Sequence, residues 1–208
     1  MAGTSGDSIG PSLTTAHSAR RWSACASTNS HGGWRDWNPW RSKLAAWLRA
    51  SRREWPLEPD ARVLYLGAAE GTTVSHVCDL CPQGMVAAVE VSPTAMAELL
   101  VVTERYQNLL PVLTDAHFPA RYAPQAEGCG FLYQDVAQRD QLAIFRRNWE
   151  FYRPRQGLLM LKAPGIRAGV PKAVLDEAEA ELRETFATVE RSDIAKWAKG
   201  HAAFWVED

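Results

Sequence analysis

The run Arg62-Val-Leu-Tyr-Leu-Gly-Ala-Ala-Glu-Gly-Thr-Thr-Val-Ser-His76 constrains the fold more than any other stretch of the chain. Val63 to Leu66 are apolar and suited to a buried strand. Gly67, Ala68, Ala69 and Gly71 put little or no side chain between backbone and a ligand. Thr72 or Thr73 can cap the helix that follows, whose free N–H groups and positive end suit an anion. Strand, small-residue elbow and helix in that order open a nucleotide-binding α/β sheet. Val86-Ala-Ala-Val-Glu90 supports this, because an apolar strand there ends in an acid about twenty residues after the glycine turn. That is the spacing at which a carboxylate reaches ribose hydroxyls.

The 208 residues suit one domain with a modest extension, and 46% hydrophobic content is ordinary for a globular chain. No apolar run approaches the length of a membrane span, and no secretory start is visible, so a soluble cytoplasmic protein with no membrane contact is expected. A net charge of −1 confines nucleic-acid contact to local patches or to a partner. Cys25, Cys78, Cys81 and Cys129 do not make a disulfide framework at this size. Cys78 and Cys81 have CxxC spacing, but no second pair completes a zinc site, so the thiols read as reduced and structural and no metal is expected. Residues 1–33 read as a flexible tail, and 34–208 as the folded domain.

Along the domain, strand and helix patterns alternate. Ser42 can cap a helix through Leu44, Trp47 and Leu48 to about Arg53, and Arg49, Arg52 and Arg53 are candidates to touch phosphate. The elbow helix runs to about Cys81. Ser92-Pro93 opens another helix. Leu109 to Leu113 forms a strand whose Pro111 suits an edge. Gly130 to Asp135 and Leu158 to Lys162 are further strands, separated by a helix bearing Ile144, Phe145 and Trp149. A helix from Pro171 to about Glu184 leads into two closing strands, Phe186 to Ile194 and His201 to Val206. The expected result is an α/β fold with a mostly parallel sheet and helices on both faces. Ligands of such sheets sit at the carboxyl ends of the strands, where Gly67 to Thr73, Glu90, Asp115, Asp135 and Lys162 converge. A glycine turn with a ribose-binding acid suits a nicotinamide cofactor or S-adenosylmethionine. Asp115 beside Ala116 can accept from an adenine amino group. Asp135 and Lys162, on strands expected to be neighbours, read as a charge pair.

Trp37-Asn-Pro-Trp-Arg-Ser-Lys-Leu-Ala-Ala46, Val63 to Val77, Val89-Glu-Val-Ser92, Asp135-Val-Ala-Gln138 and Leu161-Lys-Ala163 together closely resemble fibrillarin. The compact chain is most similar to the archaeal-type fibrillarin-like rRNA/tRNA 2′-O-methyltransferases. The resemblance runs from about Trp34 to the C-terminus. It implies a Rossmann-like class I S-adenosylmethionine-dependent methyltransferase fold with a seven-stranded, mostly parallel sheet. It implies methyl transfer to a ribose 2′-oxygen of RNA, with a C/D-box guide RNA, a Nop-type scaffold protein and a kink-turn-binding protein as partners. By the same resemblance the catalytic tetrad falls on Lys43, Asp135, Lys162 and His201, with Lys162 managing the proton and Lys43 orienting the ribose. Cofactor contacts fall on Gly67, Ala69, Thr72, Thr73, Glu90, Val91, Asp115, Ala116, Asp135, Val136, Ala137 and Gln138. Val91 stands where the family commonly has an aromatic, and Gly200 where an acid commonly precedes the histidine. A strand-rich N-terminal extension typical of relatives has no counterpart in the tail pattern. The rival readings are a methyltransferase working without a guide complex and a non-catalytic ribonucleoprotein scaffold. A nicotinamide oxidoreductase is more distant, because the third glycine spacing is absent.

Overall fold

In a sheet covered on both faces, successive residues of a strand pack into opposite cores, so every position can be apolar. Val63, Leu64, Tyr65 and Leu66 follow this rule, each at 2% exposure or less. The computed structural model describes residues 26–28 and 34–208. Its main sheet contains β3 (Arg62–Leu66), β4 (Met85–Glu90), β5 (Leu109–Leu113), β6 (Phe131–Gln134), β7 (Gln156–Lys162), β8 (Thr188–Asp193) and β9 (His201–Glu207). The strand order is β5-β4-β3-β6-β7-β9-β8. β3 to β7 pair in parallel, and β9 lies antiparallel between β7 and β8. β5, with its proline, is an edge strand, as its sequence predicts.

Helices α1 (Lys43–Ser51), α2 (Thr72–Leu80) and α3 (Pro93–Thr103) bury Trp47, Val77 and Leu99 with Val63, Tyr65, Val86 and Tyr133 on one face. A short helix α4 (Ala123–Ala126), α5 (Gln141–Tyr152) and α7 (Pro171–Thr185) bury Ala126, Phe145 and Leu182 with Leu64, Leu66, Leu132 and Leu161 on the other. One-turn α6 (Ala163–Ile166) follows β7 directly. The alternation of Val63 and Tyr65 with Leu64 and Leu66 between the two cores is the period-2 signature of a strand. Trp47 stacks on Trp205 at 5.6 Å, joining α1 to β9.

Ser42 caps α1 by accepting from the Ala45 N–H at 3.3 Å, and Ser92 does the same for Ala95 of α3. The cap expected from Thr72 or Thr73 is absent. Gly71 occupies the N-cap at φ +92 without a side-chain bond to the helix. That turn needs a left-handed residue, which a threonine does not readily supply.

Within the stretch read as a tail, residues 26–28 are described. Ala26–Thr28 forms β1, antiparallel to β2 (Trp34–Asp36). Trp22 and Cys25 lie outside the described residues. Arg35 fastens the ribbon to α2: its Nη1 meets the carboxylate of Asp79 and the Tyr106 hydroxyl, both at 2.5 Å, and its Nη2 donates to Ser75 Oγ. Trp37 is buried and stacks on His76 of α2 at 4.8 Å. Burial, with the Arg35 charge, lowers His76 to about 4. Cys78, Cys81 and Cys129 are buried, and burial pushes the Cys129 thiol up to about 11. Among the described residues, no helix is long and apolar enough to cross a membrane.

Candidate active site

The elbow after β3 is held by its neighbours before any ligand arrives. The Gly67 and Ala68 N–H groups both donate to the Val89 carbonyl, at 2.9 and 3.2 Å. Gly67 has φ +81, and a Cβ there would lie 2.5 Å from the Asp135 carbonyl oxygen. The glycine thus admits the neighbouring strand end rather than only a ligand. Asp135 continues the ladder, donating its N–H to the Leu66 carbonyl at 2.9 Å. Val136 packs against the same glycine.

Glu90 ends β4 at 9% exposure. Its Oε2 accepts from the Ala69 N–H at 2.8 Å, and its Oε1 accepts from the N–H groups of Val91 and Ser92 at 2.9 and 2.8 Å. A carboxylate has about four acceptor positions, so one remains for a ribose hydroxyl. Ala69 takes φ +47 to present its N–H. Val91, beside this acid, is 53% exposed. Thr73 donates to Ser42 Oγ at 3.1 Å, tying the elbow helix to the cap of α1, while Thr72 lies near Glu70. With no side-chain cap at Gly71, the leading N–H groups of α2 keep their capacity for an anion. Gln138 adds a buried Oε1 without a partner. The residues present therefore suit a cofactor with a carboxylate, a ribose and hydrogen-bond donors. A cleft of about 830 Å³ beyond the elbow, between α2 and α3, shares Gly71 and Thr72 but none of Glu90, Asp115 or Asp135.

Lys43 begins α1, and its Nζ donates to both oxygens of Asp135 at 2.8 Å. This corrects the charge pair expected from the strand ends. β6 and β7 are neighbours, but the partner of Asp135 is Lys43, which arrives from a helix, rather than Lys162. Lys162 ends β7 opposite His201, the first residue of β9. His201 lies within electrostatic range of Lys43, Asp135 and Lys162. Burial foremost, with the two lysines, lowers the imidazole below its usual value, against the opposing pull of the Lys199 carbonyl and Asp135. Its Nδ1 lies 3.1 Å from the Lys199 carbonyl, which can only accept, so Nδ1 carries the proton and Nε2 is the acceptor. Beneath the cluster, Tyr65 and Tyr133 pack at 4.4 Å. Burial raises both phenols, and the Asp135 charge adds to this, so both stay neutral.

Asp115 follows β5, and its Oδ1 accepts from both the backbone N–H and the Nδ1 of His117, at 2.9 and 2.6 Å. Ala116 is buried, and its carbonyl accepts from Asn148 at 2.9 Å. Two contributors have no signal in the motifs. His117 also reaches Asp140, at 2.7 Å. Gln141 accepts from the Lys162 N–H at 2.9 Å and donates to its carbonyl at 3.2 Å, setting the end of β7. The Gln141 amide also donates to the carbonyl of Gln138, next to Ala137. An apolar helix that opens on a glutamine is the only sequence trace of this clamp. Arg53, a phosphate candidate, pairs instead with Glu190.

The sequence profile of the Fibrillarin family matches residues 16–207. The chain belongs to the fibrillarin family. It is 41% identical over 155 residues to the fibrillarin-like rRNA/tRNA 2′-O-methyltransferase of Thermoplasma acidophilum, a match covering 74% of this chain and 65% of that relative. The chain thus spans just under two thirds of that relative's length. The crystal structure of a fibrillarin/Nop5p complex contains a similar chain, with a TM-score of 0.80 and 34% identity over 86% of this chain and 90% of the other. Aeropyrum pernix fibrillarin with natively bound S-adenosyl-L-methionine superposes with a TM-score of 0.74 at 34% identity, over 89% of this chain and 83% of the other. The sheet order and the helices on both faces are those of a class I methyltransferase fold.

Proposed function

We propose that this fibrillarin-family chain is an S-adenosylmethionine-dependent RNA ribose 2′-O-methyltransferase acting on rRNA or tRNA in the cytoplasm. The observation that best supports the reading is the Lys43–Asp135 ion pair at the strand end beside the elbow, with Lys162 facing His201 across the neighbouring strands. A binding scaffold has no use for two lysines, a carboxylate and a neutral imidazole gathered at one strand edge. The printed names of the relatives, and the cofactor named with the Aeropyrum pernix protein, support the same reading.

Glu90 and Asp115 would hold the ribose and adenine of the cofactor, Thr72, Thr73 and the α2 N-terminus would hold its methionine part, and Asp135 to Gln138 would line the floor. When bound, S-adenosylmethionine supplies a methyl group on a positively charged sulfur. The protein places a ribose 2′-hydroxyl in line with that methyl and manages its proton. Placement provides much of the acceleration. An ammonium is only a donor, so Lys162 steadies the negative charge developing on the 2′-oxygen. Asp135, oriented by Lys43, accepts the hydroxyl proton, and His201 Nε2 is a second acceptor within the cluster. This division differs from the one the motifs imply, because Lys43 is committed to Asp135.

RNA selection falls to a C/D-box guide RNA with a Nop-type scaffold and a kink-turn-binding protein, as the resemblance implies; the fibrillarin/Nop5p complex supports the Nop-type partner. The test is transfer of labelled methyl from S-adenosylmethionine to RNA, with and without guide and scaffold, followed by mapping of 2′-O-methyl sites. No transfer under either condition overturns the reading. Transfer to naked RNA alone favours an enzyme that needs no guide.

A further inference from the structure

We propose that His117 is a positioning residue of the cofactor site, its doubly protonated ring clasping Asp115 and Asp140 and aiming Asp115 at the 6-amino group of the adenine. The inference rests on the reading that this strand edge binds S-adenosylmethionine. Its starting point is a stoichiometric one. Nδ1 lies 2.6 Å from Asp115 Oδ1, and Nε2 lies 2.7 Å from Asp140 Oδ2. Carboxylates only accept, so both ring nitrogens must donate, which only the imidazolium can do. A neutral ring would turn a lone pair toward one of the acids.

The surroundings keep that proton in place. Burial opposes the charged ring, but the bonds and charges of Asp115 and Asp140 outweigh it and raise the His117 pKa above its usual value. Burial would likewise raise Asp115, yet the His117 backbone and ring and the Arg121 charge hold it below the ordinary carboxylate range. The remaining charged group at this turn is Arg147, which donates from α5 to the His117 carbonyl at 3.0 Å.

Asp140 supplies a second, independent observation. It stands at the N-cap of α5, where aspartate normally accepts from its own helix, yet it makes no capping bond. Its carboxylate serves His117 instead. The turn is further pinned by Asn148 and Tyr122, which donate to the Ala116 carbonyl at 2.9 and 3.2 Å. The backbone of Asp115 to His117 is therefore fixed from α5 and from Tyr122, and the imidazolium fixes the side chain. Both bonds to the Asp115 carboxylate fall on Oδ1, which leaves Oδ2 for the ligand.

Two consequences distinguish this device from plain packing. An oriented carboxylate accepts from a 6-amino group and repels a 6-oxo group, so it reads adenine against hypoxanthine. The orientation is complete while His117 is protonated and fails as pH rises through its raised pKa, when one bond of the clasp loses its proton.

The experiment is calorimetric binding of S-adenosylhomocysteine and S-inosylhomocysteine to the full chain at about pH 6 and about pH 9. Wild type is expected to prefer the adenosyl compound by on the order of 10-fold at the lower pH, with the preference shrinking several-fold at the higher. His117→Gln keeps a donor but cannot titrate; its preference should be smaller and equal at the two pH values. In turnover, the loss should fall on KM for the cofactor rather than on kcat. Asp140→Asn, which leaves His117 in place, should move the wild-type pH limb downward. A His117→Gln protein with the wild-type preference and pH limb overturns the clasp alone. Failure of wild type to bind either compound overturns the cofactor reading, and the clasp with it.

Discussion

The proposed cofactor groove has two ends, each built on an aspartate just beyond a strand. At the methyl end Asp135 follows β6 and gives both oxygens to Lys43. At the adenine end Asp115 follows β5 and gives one oxygen to His117. The second partner is an imidazole whose pKa the neighbouring acids raise above its usual value, so its grip is lost as pH rises through that raised pKa. Asp135 also stands over two buried phenols that remain neutral, and Asp115 sits on an exposed rim with Arg121 nearby. The grip on the adenine end is thus the one that His117 makes adjustable by pH.

The sharpest way to break this division is at Asp135. Asp135→Asn should lower methyl transfer by about 100-fold or more, a far larger factor than its loss of cofactor affinity. Single-turnover transfer and calorimetry on the same preparation separate the two quantities. An Asn variant with comparable turnover would remove Asp135 as the proton acceptor. The opposite pattern belongs to Asp115. Asp115→Ala should weaken S-adenosylmethionine by about 10-fold, with kcat at saturating cofactor largely retained. If kcat falls instead, the two ends are not independent. A smaller change is expected at Val91, which is half exposed beside Glu90. Val91→Tyr adds a ring where the adenine is placed and should tighten binding by about 2- to 10-fold. Unchanged affinity would move the adenine away from this position.

The smallest effect is a pH limb at His201. Its pKa is lowered by burial first and by the two lysines, so the ring is neutral at neutral pH. Acidification through that lowered pKa adds a third cation beside Lys43 and Lys162 and blocks Nε2. Transfer should therefore decline a few-fold on the acid side, and His201→Gln should flatten that limb. A rate limb that persists in the variant would belong to another group.

Local chemistry carried most of the fold in readable form. The unbroken apolar run Val63–Leu66 announces a doubly covered strand, Ser42 and Ser92 announce helix starts, and Pro111 announces an edge. The elbow and the terminal acids announce the rim where ligands sit. What stayed hidden were choices of partner. Asp135 has Lys162 on the adjacent strand but bonds Lys43, since the ion pair depends on where α1 lands across the sheet. His117 looks like a histidine in a loop until α5 brings Asp140 to its far nitrogen. Gln141 reads as a polar residue at a helix start, and only the tertiary fold reveals it as the clamp on Lys162. Arg35 lies in a stretch whose aromatics draw attention, while its own contacts on α2 come from residues about forty positions later. Hydroxyl chemistry favours threonine as the cap of α2, but the handedness of the turn gives that place to Gly71.

Gly200 holds φ +75, and a Cβ there would lie 2.9 Å from the ring of Pro164. The resemblance to fibrillarin leads one to look for an acid at this position, and the present contour leaves no room for one. The segment entering β9 and the short turn after β7 have thus become a matched set, free to drift only together. A chimera that borrows either piece from a relative, without its counterpart, would inherit a collision next to His201.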